Sequence, residues 1–523
     1  MVNVWVDNTC VETEEGQSVL STIRLLGIDV PALCCQDGGQ PNNSCMCCLV
    51  RVDGAPGVVP SCGTTVREGM RIESESDAIH ELRRTGIELL LSEHAGECHA
   101  PCENTCPARM DVPDMLHHVA EGDYRAAIQT VKRDIALPAI LGRVCPEVCE
   151  NACRRGQHDS PAAICKVKQF VADRDLASDS PYRPPIAADT GKCVAIVGGG
   201  PTGLTAAYHL SQRGHHCVLL EQRDQPGGRL SEQFPADELP RDVLQMEAAA
   251  ALALGSESRC GQQVGAGLSL EDVTDEFDAV LLATGRSDHD WMEAAGIQTT
   301  KSGVKVDARS RMTNRDGVFA AGNAVRPYRL VIQSVAEGKL AAQCIDAWLR
   351  GVVIPDRRHK FESRLARLTS GELCDFCEGY PETPRIDESI TANEMSEAQA
   401  RQEAQRCLEC GCDALDHCQL HHYAAMYHCD AQRFRGDHRY ERRIEGEGVA
   451  LESGKCILCG ICVQLARNAP DAVGLTFLGR SIETSIGPPP GVTLHDALGS
   501  SARQCADACP TGAISCGPDW QPR

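Results

Sequence analysis

The sequence predicts a multidomain chain of mixed α/β and α+β class, and three observations lead there. Residues Lys192–Arg229 read as a strand, a glycine-rich turn, a helix and a second strand. Val2, Val4 and Val6 alternate with less apolar neighbours, the period of a half-buried strand. The cysteines fall into separate groups, each set in a stretch of different character. With 523 residues the chain has room for roughly three to five such modules.

The glycine-rich stretch carries the most chemistry. The β-branched run Val194, Ile196, Val197 leads into Gly198-x-Gly200-x-x-Gly203, an alanine-rich helix, and the apolar run Cys217–Leu220 ending on Glu221. Gly198 permits the tight turn, Gly200 lets backbone approach a pyrophosphate, and Gly203 lets the helix pack on the strand. Glu221 stands where a carboxylate accepts from a ribose hydroxyl. Gly227, Gly228 and Arg229 follow, then a buried strand closing on Gly285 (DAVLLATG), the segment GVFAAGN with Gly322 and Asn323, and a helix over 333–345. This order resembles the flavin half of the pyridine-nucleotide-disulfide oxidoreductase superfamily. Within it, the order specifically resembles glutamate synthase small subunits and the amino-terminal part of dihydropyrimidine dehydrogenase. The resemblance implies a Rossmann-like FAD domain over 191–352, with Gly198, Gly200, Gly203, Glu221, Gly228, Arg229, Gly285, Gly322 and Asn323 at the cofactor. The superfamily generally has Asp where Asn323 stands; Asn keeps an acceptor oxygen and drops the charge. Relatives also carry an NAD(P)H domain between the ATG and GVFA strands. Here the stretch Arg286–Val306 between them has no second fingerprint and is too short for a βαβ nucleotide unit of about 30 residues plus its sheet. The FAD domain is therefore expected to lack its NAD(P)H domain.

Composition narrows the class. A net charge of −22 with no basic stripe excludes a nucleic-acid partner. The 31 cysteines occur in a long chain whose first residues lack a charged-then-apolar leader, so they are expected to be metal ligands in a reducing, cytoplasmic setting. No apolar run approaches the ~20 residues of a membrane span, so direct membrane insertion is not expected.

Residues 1–76 hold Cys34, Cys45, Cys48 and Cys62, with a glycine-bearing loop in the first gap. They resemble the amino-terminal domain of complex I large subunits and iron-only hydrogenases, which implies a β-grasp ferredoxin-like fold and a [2Fe-2S] cluster on those four; Cys35 and Cys47 are read as spare thiols. Residues 77–178 read as helical, with Cys98, Cys102, Cys106, Cys145, Cys149, Cys153 and Cys165. They resemble the helical two-cluster domain of the glutamate synthase and dihydropyrimidine dehydrogenase group. That likeness implies one [4Fe-4S] cluster on Cys98, Cys102 and Cys153 and another on Cys106, Cys145 and Cys149. The first group is one cysteine short of the family pattern, and His94 is the candidate for the vacancy, since the complex I type also begins His-x3-Cys. At the family's Gln or Glu position stands Lys168, which cannot ligate while protonated; Cys165, one helical turn earlier, is the expected fourth ligand.

A Pro- and Asp-rich linker over 179–190 precedes the flavin domain. Residues 353–445 form a Cys/His-rich connecting region. Its tightest group is Cys407, Cys410, Cys412 and Cys418, expected to hold a further Fe–S cluster or a structural zinc. Residues 446–523 look like a bacterial ferredoxin module reduced to one cluster, because Ala466 occupies the usual fourth cysteine position. The likeness implies a ferredoxin-like [4Fe-4S] domain with ligands Cys456, Cys459, Cys462 and Cys509, leaving Cys505 over.

The expected inventory is therefore FAD, one [2Fe-2S] cluster and three [4Fe-4S] clusters, with one more metal centre as an addition. No catalytic acid–base or nucleophile set is recognisable. What these cofactors share is electron transfer. The arrangement resembles the flavin subunits of electron-bifurcating transhydrogenase or hydrogenase complexes. It implies an electron-transferring subunit of a soluble multi-subunit oxidoreductase, relaying electrons between a partner and ferredoxin or NAD(P). The partner would be an NADH-oxidising FMN/Fe–S subunit or a hydrogenase or dehydrogenase subunit. Bifurcation itself is not readable from residues. The alternatives are a self-sufficient NAD(P)H-dependent oxidoreductase or glutamate synthase small subunit, and a scaffold whose clusters serve structure only.

Overall fold

The computed structural model describes residues 1–36, 38–286, 290–354, 361–365, 367–387, 389, 395–434, 440, 443–446 and 448–517. The chain separates into two compact units, one formed by 1–99, 358–378 and 411–523, the other by 100–357 and 379–410.

In the first unit, Val2–Val6 buries Val2, Val4 and Val6 and exposes Asn3 and Trp5, the side-chain alternation that a strand with one covered face imposes. It sits second in a five-stranded sheet ordered Thr9–Thr13, Val2–Val6, Arg71–Glu73, Leu49–Val52, Val58–Pro60. Val2–Val6 runs parallel to Arg71–Glu73, and the other pairings are antiparallel. The helix Val19–Arg24, capped by the Ser18 hydroxyl accepting from Ser21 N–H, supplies Val19, Leu20 and Ile23 to the same core. The helix Asp77–Glu93 begins on Ser76 and buries Arg83 completely. That guanidinium is tolerated because it donates to Leu49 O at 2.9 Å and Ser74 Oγ at 2.9 Å and pairs with Glu75. The carboxy-terminal part of the unit has a three-stranded sheet (Arg443–Gly446, Val449–Glu452, Ile514–Cys516), a hairpin (Thr476–Leu478 with Ser485–Gly487) and the helices Ile461–Asn468 and Ala502–Ala508. One apolar cluster joins Leu33, Cys34, Cys45 and Cys47 to Ile87, Leu91, Cys98, Cys418, Cys459 and Ile461. The amino- and carboxy-terminal cysteine loops therefore share a core.

The second unit starts with six helices, Pro101–Thr105 through Ile164–Leu176. Next comes a parallel five-stranded sheet ordered Val318–Ala320, Ala279–Leu282, Cys193–Val197, His216–Glu221, Ser256–Cys260. Its middle strands are buried along nearly their whole length, as a sheet with both faces covered requires. The stretch 179–190 carries no helix or strand, yet it is tied down: Ala187 N–H donates to Gln212 O and Thr190 N–H to Gly214 O. The described part of the connection from Ala279–Leu282 to Val318–Ala320 holds the short helix Asp290–Ala294 and a hairpin of two-residue strands, Thr299–Thr300 and Gly303–Val304. Far along the chain, the helix Glu397–Ala404 packs on Val112–Glu121 and Ile164–Leu176. Its Glu403 accepts Ala163 N–H at 2.8 Å and Ile386 N–H at 2.7 Å, and Arg401 Nε donates to Ala120 O at 3.0 Å.

Candidate metal centres and nucleotide cavity

The parallel sheet opens at its carboxyl ends into a cavity of about 620 Å³. Its floor is the turn from Val197 to the helix Pro201–Gln212, which has Gly200 as N-cap and Pro201 in its first turn. Gly198 has φ +110°, and a Cβ at Gly203 would lie 1.9 Å from Gly198 O, so neither place accepts a side chain. The free N–H groups of the helix start, and Arg223, Arg229, Arg286 and Arg329 on the lining, make an anionic group welcome. Glu221 is buried at the end of its strand; Oε2 accepts Gly199 N–H at 2.7 Å and Oε1 accepts Arg223 N–H at 2.9 Å. Gly285 and Asn323 also line the cavity, while Gly322 (φ +65°) lies over Thr202. The acceptor oxygen of Asn323 is taken by Tyr328 N–H at 2.6 Å, so its amide NH2 is the group left for a ligand. Arg223, Arg286, Arg329 and Trp291 were not foreseen from sequence. Only Arg286, adjoining the ATG turn, had a positional signal.

Among the cysteines, Cys34, Cys45, Cys48 and Cys62 converge and are all buried. Cys34 Sγ accepts Cys45 N–H at 3.5 Å. Bonds from the Cys45 and Cys62 thiols pull Cys34 down to about 2, and the same contacts push Cys45 and Cys62 up. Four sulfurs sharing hydrogen bonds, with Cys34 and Cys48 both lowered by them, make a candidate metal-ligating set. The Cys47 thiol donates to Cys45 O at 3.2 Å and also contacts the Cys45 thiol.

In the helical part, Cys165 stands with Cys145 and Cys149, which hydrogen-bond it from two sides. Lys168 is buried 3.7 Å from Cys165 Sγ. Burial works against its charge, while the sulfurs of Cys165, Cys145, Cys149 and Cys106 act the other way and raise its pKa. Lys168 thus points its ammonium at Cys165, with Cys145, Cys149 and Cys106 as further sulfur neighbours.

The remaining sulfurs are distributed differently from the pattern the family likeness implies. Cys407, Cys410 and Cys153 act on Cys102 electrostatically, and all four line one small cavity with the buried Arg154 and Arg155. Cys98 belongs to the other unit. There its Sγ accepts Ser363 N–H at 3.4 Å, and Cys418 and Cys412 act on it electrostatically. Cys412 N–H donates to Cys98 O at 3.2 Å. The run 407–418 is thus divided, its first two thiols going to Cys102 and Cys153 and its last two to Cys98. The physical reason is the anchoring of Glu403, which fixes the chain just before Cys407 on the helical domain. His94 is in the unit of Cys98. Its Nδ1 donates to Lys455 O at 3.1 Å and burial lowers its pKa to about 4, so the ring is neutral with the Nε2 lone pair left over, the state in which a histidine ligates.

At the carboxy terminus, Cys462 is pushed well up by burial and by Cys459, Cys509 and Cys456. Burial raises Cys459 too, and Cys509, Cys456 and Cys34 add to it. Cys505 is fully buried, with its Sγ toward Cys462 O and Ser501 Oγ. Cys374 is exposed and Cys377 buried on the helix Ser370–Cys377.

Three family models match in series: a 2Fe-2S iron-sulfur cluster binding domain over 1–77, the dihydropyrimidine dehydrogenase domain II with its 4Fe-4S cluster over 90–180, and a pyridine nucleotide-disulphide oxidoreductase domain over 160–338. The chain is an iron–sulfur oxidoreductase. Its cofactors are a [2Fe-2S] cluster, [4Fe-4S] clusters and a dinucleotide of the FAD/NAD(P) type. This oxidoreductase is 36% identical over 218 residues to the NADP(+)-dependent formate dehydrogenase subunit beta of Moorella thermoacetica, covering 38% of the chain and 31% of the relative. It is 35% identical over 193 residues to the NAD-dependent dihydropyrimidine dehydrogenase subunit PreT of Salmonella typhimurium, covering 36% and 46%. To the glutamate synthase [NADPH] small chain of Mycobacterium tuberculosis it is 35% identical over 190 residues, covering 36% and 39%. It therefore spans a third to a half of the length of these relatives. No described helix is long and apolar enough to cross a membrane.

Proposed function

We propose that this chain is the electron-transferring FAD/iron–sulfur subunit of a multi-subunit oxidoreductase, relaying electrons between a partner dehydrogenase or hydrogenase and ferredoxin or NAD(P). The observation that carries the reading is the succession of thiol groups within one unit. Cys34 of the amino-terminal set is an electrostatic neighbour of Cys459, and Cys509 of the carboxy-terminal set is a neighbour of Cys418. Thiol sets in such sequence suit a relay and have no use in hydrolysis or group transfer. Bound in these places, clusters exchange electrons singly and a flavin singly or in pairs. The residues' own part is to hold and tune. Glu221 would take the ribose of the FAD, the helix start at Gly200 and the lining arginines its pyrophosphate, and Lys168 offsets thiolate charge. The relatives named as subunits of formate and dihydropyrimidine dehydrogenases favour a partner subunit. The described part of the connection before Val318–Ala320 holds a five-residue helix and a hairpin of two-residue strands in place of a second βαβ unit, which favours delivery of electrons from that partner.

Stopped-flow mixing of the anaerobic, isolated chain with NADH and NADPH tests the proposal. The flavin absorbance is expected to stay unbleached by either nucleotide and to bleach with dithionite. Rapid bleaching by a nucleotide would replace the proposal with the self-sufficient reductase.

A further inference from the structure

We infer that one [4Fe-4S] cluster of this chain is held by Cys102, Cys153, Cys407 and Cys410, so that half of its ligands come from a stretch far beyond the flavin domain. The four thiols line one cavity in the second unit, together with Ala100, Leu116 and Ile164. Cys102 is buried, and the partly buried Cys153, Cys407 and Cys410 pack against the same apolar core. A pocket that is apolar apart from sulfur and two arginines suits an inorganic sulfide core better than water.

Spacing decides between a cluster and a single zinc. Tetrahedral zinc at about 2.3 Å from each sulfur needs sulfurs about 3.8 Å apart. Among the described residues, no three of these thiols lie within 4.8 Å of one another. They surround a space instead of meeting at a point, as a cluster requires.

The supporting structure is specific. Arg155 is buried and its Nη1 donates to Arg406 O at 3.4 Å, while its Nη2 donates to Pro381 O at 2.7 Å. Arg406, also buried, returns bonds to Ser160 O at 2.6 Å and to Asp159. This lattice ties the turn after Cys153 to the residue before Cys407, and Glu403 anchors the helix just upstream. Arg154 and Arg155 also place positive charge beside four thiolates, which favours the reduced, more negative state of a cluster. The regrouping removes the need for Cys98 or His94 as ligands here, and both lie in the other unit. The inference concerns ligation alone and does not depend on which donor or acceptor the chain serves.

The test is made on anaerobically purified full-length chain. C407S/C410S is expected to lose about four iron and four sulfide per chain and one EPR signal of the dithionite-reduced protein, with flavin and the other signals retained. C98S is expected to leave that same signal in place. On the wild-type chain, Cys407 and Cys410 are expected to resist alkylation until the clusters are stripped, as scored by peptide mass spectrometry; this arm needs no variant to fold. Full iron and all signals in C407S/C410S would overturn the inference. So would loss of zinc instead of iron, disappearance of the same signal in C98S, or equal labelling of both cysteines before and after stripping.

Discussion

The side-chain amide of Asn42 donates to the backbone carbonyl of Cys459 at 2.6 Å, across 417 positions of sequence. Gln464 braces the pair, donating to Asn42 Oδ1 at 2.9 Å and to Gln40 O at 3.2 Å. The loop between Cys34 and Cys45 is thereby fastened to the loop that carries Cys459. A relay needs this kind of fixed approach, since transfer falls off steeply when two centres separate.

Asn42→Ala removes that fastening without touching a thiol. It loses both the bond to the Cys459 carbonyl and the one from Gln464, each worth about 1 kcal/mol, so the ratio of docked to undocked loops should fall roughly 5- to 30-fold. Freeze-quench EPR should show slower equilibration of electrons between the [2Fe-2S] and carboxy-terminal [4Fe-4S] signals, at unchanged iron content. Equal rates in variant and wild type would remove this contact from the relay.

Lys168 offers a second handle. It faces Cys165, Cys145, Cys149 and Cys106 from a buried position, and it stays charged because they outweigh its burial. Lys168→Met keeps the length of the chain and deletes the cation. Coulomb's law at an effective dielectric of about 20 makes the lost attraction on the order of 100 mV per electron. Potentiometric titration followed by EPR should find that cluster's midpoint more negative by that order, with the others in place. An unmoved midpoint would mean the lysine serves packing alone.

Gly203→Ala separates the flavin site from the clusters. The new Cβ would sit 1.9 Å from Gly198 O, so the turn must open to admit it. Overpacking of this kind costs about 1–3 kcal/mol, and the strain falls on the backbone that meets the pyrophosphate. Flavin released on denaturation should fall about tenfold or more, while iron and sulfide per chain stay constant. Retained flavin would exclude this turn as the cofactor's seat.

These tests also mark where the sequence was legible. The alternation of Val2, Val4 and Val6 gave the buried face of the first strand, because a strand's periodicity is local. The glycine fingerprint and Glu221 were legible for the same reason: turn, helix start and strand end lie within a few residues of one another. Cys407, Cys410, Cys412 and Cys418 were read as one group because they are close along the chain, yet Cys407 and Cys410 fall with Cys102 and Cys153, and Cys412 and Cys418 with Cys98. Nothing local encodes that division. It depends on where Glu403 and Arg406 anchor the preceding helix, through partners some 240 positions away in sequence. Arg223, Arg286 and Arg329 around the nucleotide cavity escaped for a related reason, since they sit on loops that only the folded sheet brings together, whereas Arg229 directly follows the Gly227-Gly228 pair.

Glu247 gives the last prediction, one on stability. It is buried on the helix Arg241–Leu252, and its carboxylate accepts Ala139 N–H at 2.6 Å and Ile140 N–H at 2.7 Å, at the start of the helix Pro138–Val144. Burial outweighs those two donors and raises its pKa from 4.5 to about 7. Between those values the folded chain binds more protons than the unfolded one, so stability is greatest at low pH and falls as pH rises through the interval. The drop is on the order of 3 kcal/mol for this group. Glu247→Gln carries no titrating proton, and its single oxygen satisfies one N–H where the carboxylate satisfied two, a loss of about 1–3 kcal/mol. The variant should therefore unfold at a lower temperature than wild type at pH 5, and the gap should narrow or reverse by pH 8. Anaerobic thermal melts followed by circular dichroism at the two pH values measure this directly. A gap that stays the same from pH 5 to pH 8 would show that the carboxylate is charged throughout and that its two N–H donors, rather than burial, set its pKa.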